Sequence, residues 1–260
     1  MSEPTDLLRR TAELAARYVE SLGERPVFPR VDPDELRDAL GGPLPEEPVP
    51  ADEVVEELAA AAEPGLVSMG SGRYFGFVIG GALPAALAAD WLTTVWDQNA
   101  GLYVAGPSAS VVEQVTREWV VELLGLPAGS SIGFVTGTQM AHVTALAAAR
   151  WHVLDAAGWD VGARGLTGAP PVKVLAGEKV HVTVDRALRL LGLGAPTLVE
   201  ADDQGRLVPD ALREALFEDG RTGKAGTASL GPTIVCAQAG NVGPPAPASA
   251  RASAPGSIRP

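Results

Sequence analysis

The chain has 260 residues, 46% of them hydrophobic, with a formal net charge of −12 and a pI near 4.7. That length can bury a core of one large domain or one and a half, while the acidic balance excludes nucleic acid and anionic membrane surfaces as partners, since both require basic surface. A single cysteine, Cys236, excludes a disulfide framework and a cysteine metal cluster.

In chain order, Met1-Ser-Glu-Pro-Thr-Asp6 has neither a basic nor an apolar leader region, and no run approaches 18 apolar residues. The sequence therefore predicts no signal peptide, no membrane span and a cytoplasmic protein. Thr5 to Leu22 carries Leu7, Leu8, Leu14, Ala15, Tyr18 and Val19 at helical spacing. Asp32 followed by Pro33 opens a short helix as N-cap and first-turn proline. A proline-rich connector, Gly41 to Pro50, leads to an acidic-headed helix, Asp52 to Ala62. Residues 1–65 thus form a helical arm whose apolar stripes have little opposing core in the chain, which predicts packing on a second subunit in a homodimer.

Helices are expected at Pro84 to Thr94 and Ser108 to Leu124. Beyond them, apolar strand-like runs at Ile132 to Val135, Val172 to Ala176, Thr197 to Glu200 and Thr233 to Ala237 alternate with helical segments at Met140 to Ala157, Val182 to Leu191 and Asp210 to Glu218. Such alternation predicts an α/β fold with a mainly parallel sheet and right-handed crossovers. Ligands of these sheets sit at the carboxyl ends of the strands. From Gly243 to Pro260, seventeen of eighteen residues are Ala, Pro, Ser, Gly or Arg, a composition expected to be disordered. The expected organisation is an arm over 1–65, a partial large domain over 66–242 and a tail over 243–260, the tail resembling translation in a shifted frame.

The chemistry concentrates at two strand-to-helix junctions. Thr136-Gly-Thr-Gln139 precedes an alanine-rich helix, so free backbone N–H groups, hydroxyls and the helix dipole would meet an anion there. A plain capping turn is the alternative. His181 opens the next such helix, either as a capping or core histidine or as a flat ring donor. An anion cradle with a ring donor suits a phosphorylated aromatic cofactor such as pyridoxal phosphate. His142 and His152 are ten residues apart, which excludes a zinc pair on one helical face, and no metal site is expected. Asp185 with Arg189 reads as a solvated i,i+4 pair. Glu200, Asp202 and Asp203 before Gly205 read as a turn, with a metal site as the other reading. Tyr74, Phe75 and Phe77 read as core.

The order of these segments resembles the group II pyridoxal phosphate-dependent amino-acid decarboxylases, the aromatic L-amino-acid, glutamate and histidine type. Arg73-Tyr-Phe-Gly-Phe77 with Pro84 and Ala88-Ala-Asp90, then Trp96-Asp-Gln-Asn99, Phe134 to Arg150, His181, and Val235-Cys-Ala-Gln-Ala-Gly-Asn241 are similar to successive landmarks of that family. The resemblance implies the large domain of a fold type I pyridoxal phosphate enzyme, here incomplete. It implies that Thr138 and Gln139 hold the phosphate, that His181 stacks on the pyridine ring, that Asn241 lies at a cofactor-contacting turn, and that Phe77 and Val78 face an amino-acid substrate. Gln139 and His142 depart from the small or hydroxyl residue and the asparagine of the family pattern.

The family's next landmarks do not follow Asn241. They are an aspartate paired with the pyridine nitrogen and a later Schiff-base lysine. The chain's three lysines, Lys173, Lys179 and Lys224, do not match the lysine's place. The expectation is a carboxy-lyase of L-amino acids, aromatic or similar in bulk, inactive as the chain stands. The alternative is a non-catalytic fragment or pseudo-enzyme that binds a phosphorylated ligand or a full-length partner.

Overall fold

The computed structural model describes residues 4–77, 79–217 and 231–238. Val78, Lys224, Asn241 and the 243–260 tail lie outside the described residues. The chain divides into two compact units, Met1–Asn99 and Ala100–Pro260.

The first unit is helical: α1 (Pro4–Ser21), α2 (Pro33–Leu40), α3 (Ala51–Ala62) running into a 3-10 turn (Glu63–Gly65), and α4 (Pro84–Trp96). Prolines open α2 and α4, where their missing N–H costs nothing. The Asp32 carboxylate caps α2 by accepting from the Asp34 N–H at 2.8 Å. Arg10 joins α1 to α3 through Glu56 at 2.6 Å. Arg25 lies over the Tyr18 ring at 4.6 Å and reaches Glu63. None of the four helices buries a residue, and Trp91, Leu92, Val95 and Trp96 of α4 are all exposed.

Of the aromatic trio expected in the core, only Tyr74 packs, against Phe28 with ring centroids 5.8 Å apart. Phe75 and Phe77 are 92% and 86% exposed, so the core expectation fails for both. The Tyr74 ring lies close over Gly76, where a Cβ would meet its hydroxyl at 2.9 Å, and the chain then turns at Phe77 in the left-handed region, φ 53°, uncommon for a bulky residue.

The second unit comprises α5 (Pro107–Leu123), α6 (Thr138–Ala156), α7 (Val161–Arg164), β1 (Lys173–Gly177), α8 (Val182–Leu190), β2 (Thr197–Val199), α9 (Pro209–Phe217) and β3 (Thr233–Cys236). The sheet is parallel with order β2-β1-β3. Leu175 pairs with Thr197 and with Val235. The central strand β1 is buried from Val174 to Gly177, as its unbroken apolar run requires in a sheet covered by crossovers. Leu146 of α6 and Val184, Ala187 and Leu188 of α8 pack with Val174 and Ile234 to form the core.

The expected strand Ile132 to Val135 pairs with no strand among the described residues. Apolar character makes a segment eligible for a sheet, but only a neighbouring ladder makes it a strand. Phe134 and Val135 remain exposed. No helix among the described residues is long and apolar enough to cross a membrane.

The acidic run after β2 is a turn. Asp202 accepts from the backbone N–H groups of Gln204 and Arg206, both at 2.9 Å, and pairs with the Arg206 guanidinium at 2.7 Å. Gly205 completes the turn at φ 73°. The Arg206 backbone bond, with further help from the guanidinium and the Gln204 N–H, holds the Asp202 carboxyl below its ordinary pKa. A depressed carboxyl adds stability that is present above the unfolded-state value, about 3.9, and is lost as pH falls through the lower folded value. Asp202→Asn is therefore expected to lower the melting temperature slightly at neutral pH and to converge with the unsubstituted chain in acid. Thermal melts across pH 2 to 7 check this (roughly the span of the carboxylate titration).

Candidate functional site

Gly137 and His181 define the two ends of the site. Gly137 precedes α6 at φ 157° and ψ 175°, a conformation essentially confined to glycine. A Cβ there would meet open space, so backbone conformation rather than crowding demands the glycine. As N-cap it brings no side chain to the first-turn N–H groups. Thr136 and Thr138 on either side are exposed. Hydroxyls, free N–H groups and the positive end of a 19-residue helix thus share one accessible spot, which fits a phosphate.

His181 is the N-cap of α8, in extended backbone. Its Nδ1 accepts the Thr183 N–H at 3.3 Å and lies 2.8 Å from Thr183 Oγ1. The capping role left open by the sequence is therefore real, and it leaves the ring accessible, since His181 is exposed. His142, one turn along α6 from Thr138, places its Nδ1 2.9 Å from the same Thr183 hydroxyl. The Gln139 side-chain amide donates to the Thr183 carbonyl at 3.1 Å. Thr183 thus joins α6 to the head of α8.

A cleft of about 840 Å³ lies at the carboxyl ends of β1 and β3. His142, Leu146 and Ala149 of α6 form one wall, Lys179 to Val182 another, and Ile234 to Gln238 the third. This is where ligands of parallel sheets are held. Burial pushes the Cys236 thiol pKa up, which suits a structural thiol. Lys173 is turned elsewhere, its ammonium donating to the Ala215 carbonyl at 2.8 Å.

Among the residues expected from the sequence, Gln139 and His181 come together around Thr183, with Thr138 at the head of the same helix as Gln139. The Gln139 amide is engaged with α8, and its backbone N–H belongs to the first turn of α6. Phe77 belongs to the first unit. Val78 and Asn241 are outside the described residues. His152 is exposed on α6. The sequence signal for Thr183 is a hydroxyl two residues after a capping histidine. Lys179 lines the cleft as well. Its position beside the cleft depends on the short β1-to-α8 loop.

Among known families, the model described as the pyridoxal-dependent decarboxylase conserved domain matches residues 33–241. Tryptophan decarboxylase 1 of Oryza sativa subsp. japonica is 29% identical over 250 residues, covering 90% of this chain and 46% of that protein. The aromatic-L-amino-acid decarboxylase of Cavia porcellus is 28% identical over 246 residues, covering 88% and 50%. The crystal structure of Oryza sativa TDC with PLP and tryptamine superposes with a TM-score of 0.76 at 26% identity, covering 90% of this chain and 49% of that one. The chain spans about half the length of the curated relatives it matches.

Proposed function

The chain belongs to the pyridoxal-dependent decarboxylase family, and from that premise we propose that it serves the decarboxylation of an L-amino acid with pyridoxal 5'-phosphate as cofactor. The observation that carries the reading is the join of an uncapped, glycine-opened helix head to an exposed ring-bearing cap, His181, through Thr183 at the carboxyl end of a parallel sheet. The residues fit the group at both ends. The Thr136–Thr138 turn would take the phosphate, and His181 would cover the ring. When bound, the cofactor supplies an electron-withdrawing ring that accepts the electron pair released as carbon dioxide departs. The protein's own residues bind the phosphate, hold the His181 ring in one orientation and line the cleft with apolar surface that limits water. From the resemblance to the family alone, the reading also gives Asn241 a cofactor contact and gives Phe77 and Val78 a preference for an uncharged, aromatic-sized substrate side chain.

The purified chain should bind pyridoxal phosphate saturably and bind unphosphorylated pyridoxal at least tenfold more weakly, about 1.4 kcal/mol in binding free energy. Absorbance or fluorescence titration measures both. Equal affinities would remove the phosphate cradle from the reading. Carbon dioxide release from aromatic, acidic and basic L-amino acids then separates substrate classes.

A second reading is a non-catalytic chain that binds a phosphorylated ligand or a longer partner. One observation favours it: of the lysines within the described residues, Lys173 bonds to Ala215 and only Lys179 lines the cleft. Borohydride reduction after cofactor addition, followed by peptide mapping, separates the two. Stoichiometric labelling of one lysine together with carbon dioxide release supports the enzyme. Scattered labelling without release supports the second reading.

The same reading includes a cytoplasmic homodimer. Helices α1 to α4 bury none of their residues in their own unit, and such apolar faces require a covering surface. Sedimentation should therefore show a dimer at micromolar concentration, with residues 1–65 protected from protease only in the dimer. A monomer with a protease-resistant arm would contradict this.

A further inference from the structure

His142 and His181 both line the cleft, and both turn their Nδ1 edges to one hydroxyl. The hydrogen bookkeeping at Thr183 has one solution for the neutral rings. The Thr183 backbone N–H can only donate, so His181 Nδ1, its acceptor at 3.3 Å, carries no proton. The Thr183 hydroxyl, 2.8 Å from that same nitrogen, must then direct its single proton there as well. With that proton spent, Oγ1 can only accept from His142 Nδ1 at 2.9 Å, so His142 carries its proton on Nδ1. Directionality therefore runs from His142 through Thr183 to His181.

We propose that Thr183 is a positioning residue that fixes the two cleft histidines, His142 and His181, in opposite tautomers, so that the cleft receives an N–H donor from His181 Nε2 and a lone pair from His142 Nε2. A ligand suited to this pair offers an acceptor, such as a carboxylate or carbonyl oxygen, to His181 and a donor, such as an amine or hydroxyl, to His142. An amino acid carries both. Gln139 supports the arrangement by holding the Thr183 carbonyl at 3.1 Å, which limits rotation of α8 about the hub. The assignment of the acceptor-bearing ligand to an amino acid rests on the decarboxylase reading, whereas the tautomers follow from the hydrogen bonds alone.

The chain has only three histidines, and the third, His152, is exposed and serves as an internal reference. Nitrogen-15 NMR of histidine-labelled chain, without cofactor and at a pH where the rings are neutral, reads each nitrogen as protonated or bare. The expected spectrum has His181 protonated at Nε2, His142 protonated at Nδ1, and His152 in the mixture of a free imidazole. Thr183→Val, which keeps the backbone N–H but loses the hydroxyl, should leave His181 protonated at Nε2 and return His142 alone toward that mixture, and Thr183→Ser should restore the fixed His142 pattern. A proton on His181 Nδ1 in the unsubstituted chain, which needs no variant to detect, would overturn the proposal. So would a folded Thr183→Val chain with the His142 pattern unchanged. Because no cofactor enters the measurement, failure of the tautomer assignment is distinct from failure of the decarboxylase reading, which pyridoxal phosphate titration decides.

Discussion

Leu188→Ala should destabilise the α/β unit by about 2–5 kcal/mol, the range for removing a buried leucine with partial collapse of the cavity. Leu188 is fully buried on α8 and packs with Val174 of β1 and Leu146 of α6. It therefore joins the central strand to both helices that carry the site. Urea denaturation followed by far-ultraviolet circular dichroism measures the change. Leu190→Ala is the control: it lies two residues on but is 72% exposed, so its effect should stay within about 0.5 kcal/mol. Comparable losses from both substitutions would mean that α8 is not seated on the sheet as described.

Gly137→Val should abolish the preference for pyridoxal phosphate over pyridoxal while leaving most of the fold intact. The position has room for a side chain but not the backbone freedom for one. Holding a β-branched residue there costs about 1–3 kcal/mol, which the helix head can relieve by reorienting its first N–H groups. Phosphate affinity then falls about tenfold or more, since each 1.4 kcal/mol is a factor of ten. Titration with both ligands, alongside a melting curve, tests this. An unchanged preference would place the phosphate elsewhere.

The helices and the parallel strands were legible because their signals are local. Asp32 with Pro33 marks the start of α2, and the apolar run after Val172 marks the buried strand β1. Both rest on residues within a few positions of each other. Ile132 to Val135 carries the same apolar signal, yet pairing depends on which edge is nearby, and no local pattern encodes that. Phe75 and Phe77 differ from expectation for a related reason: hydrophobicity signals burial only where a partner surface exists, and both rings are exposed while Tyr74 pairs with Phe28. In the site, His181 and the Thr136–Gln139 turn were visible as strand-to-helix junctions. Thr183 was not, because its importance comes from three side chains more than forty positions apart in part meeting at one residue, His142 and Gln139 from α6 and His181 from α8.

The register of the sheet also orders events during synthesis. Lys173 of the central strand pairs with Thr233, about sixty residues further on, whereas Leu175 meets Thr197 after only about twenty; loop closure over the longer span is the slower step. The β1–α8–β2 crossover can therefore close while one edge of β1 still awaits β3. During that interval the exposed ladder begins at Lys173, and a charged residue at that position discourages neighbouring nascent chains from adding themselves to it.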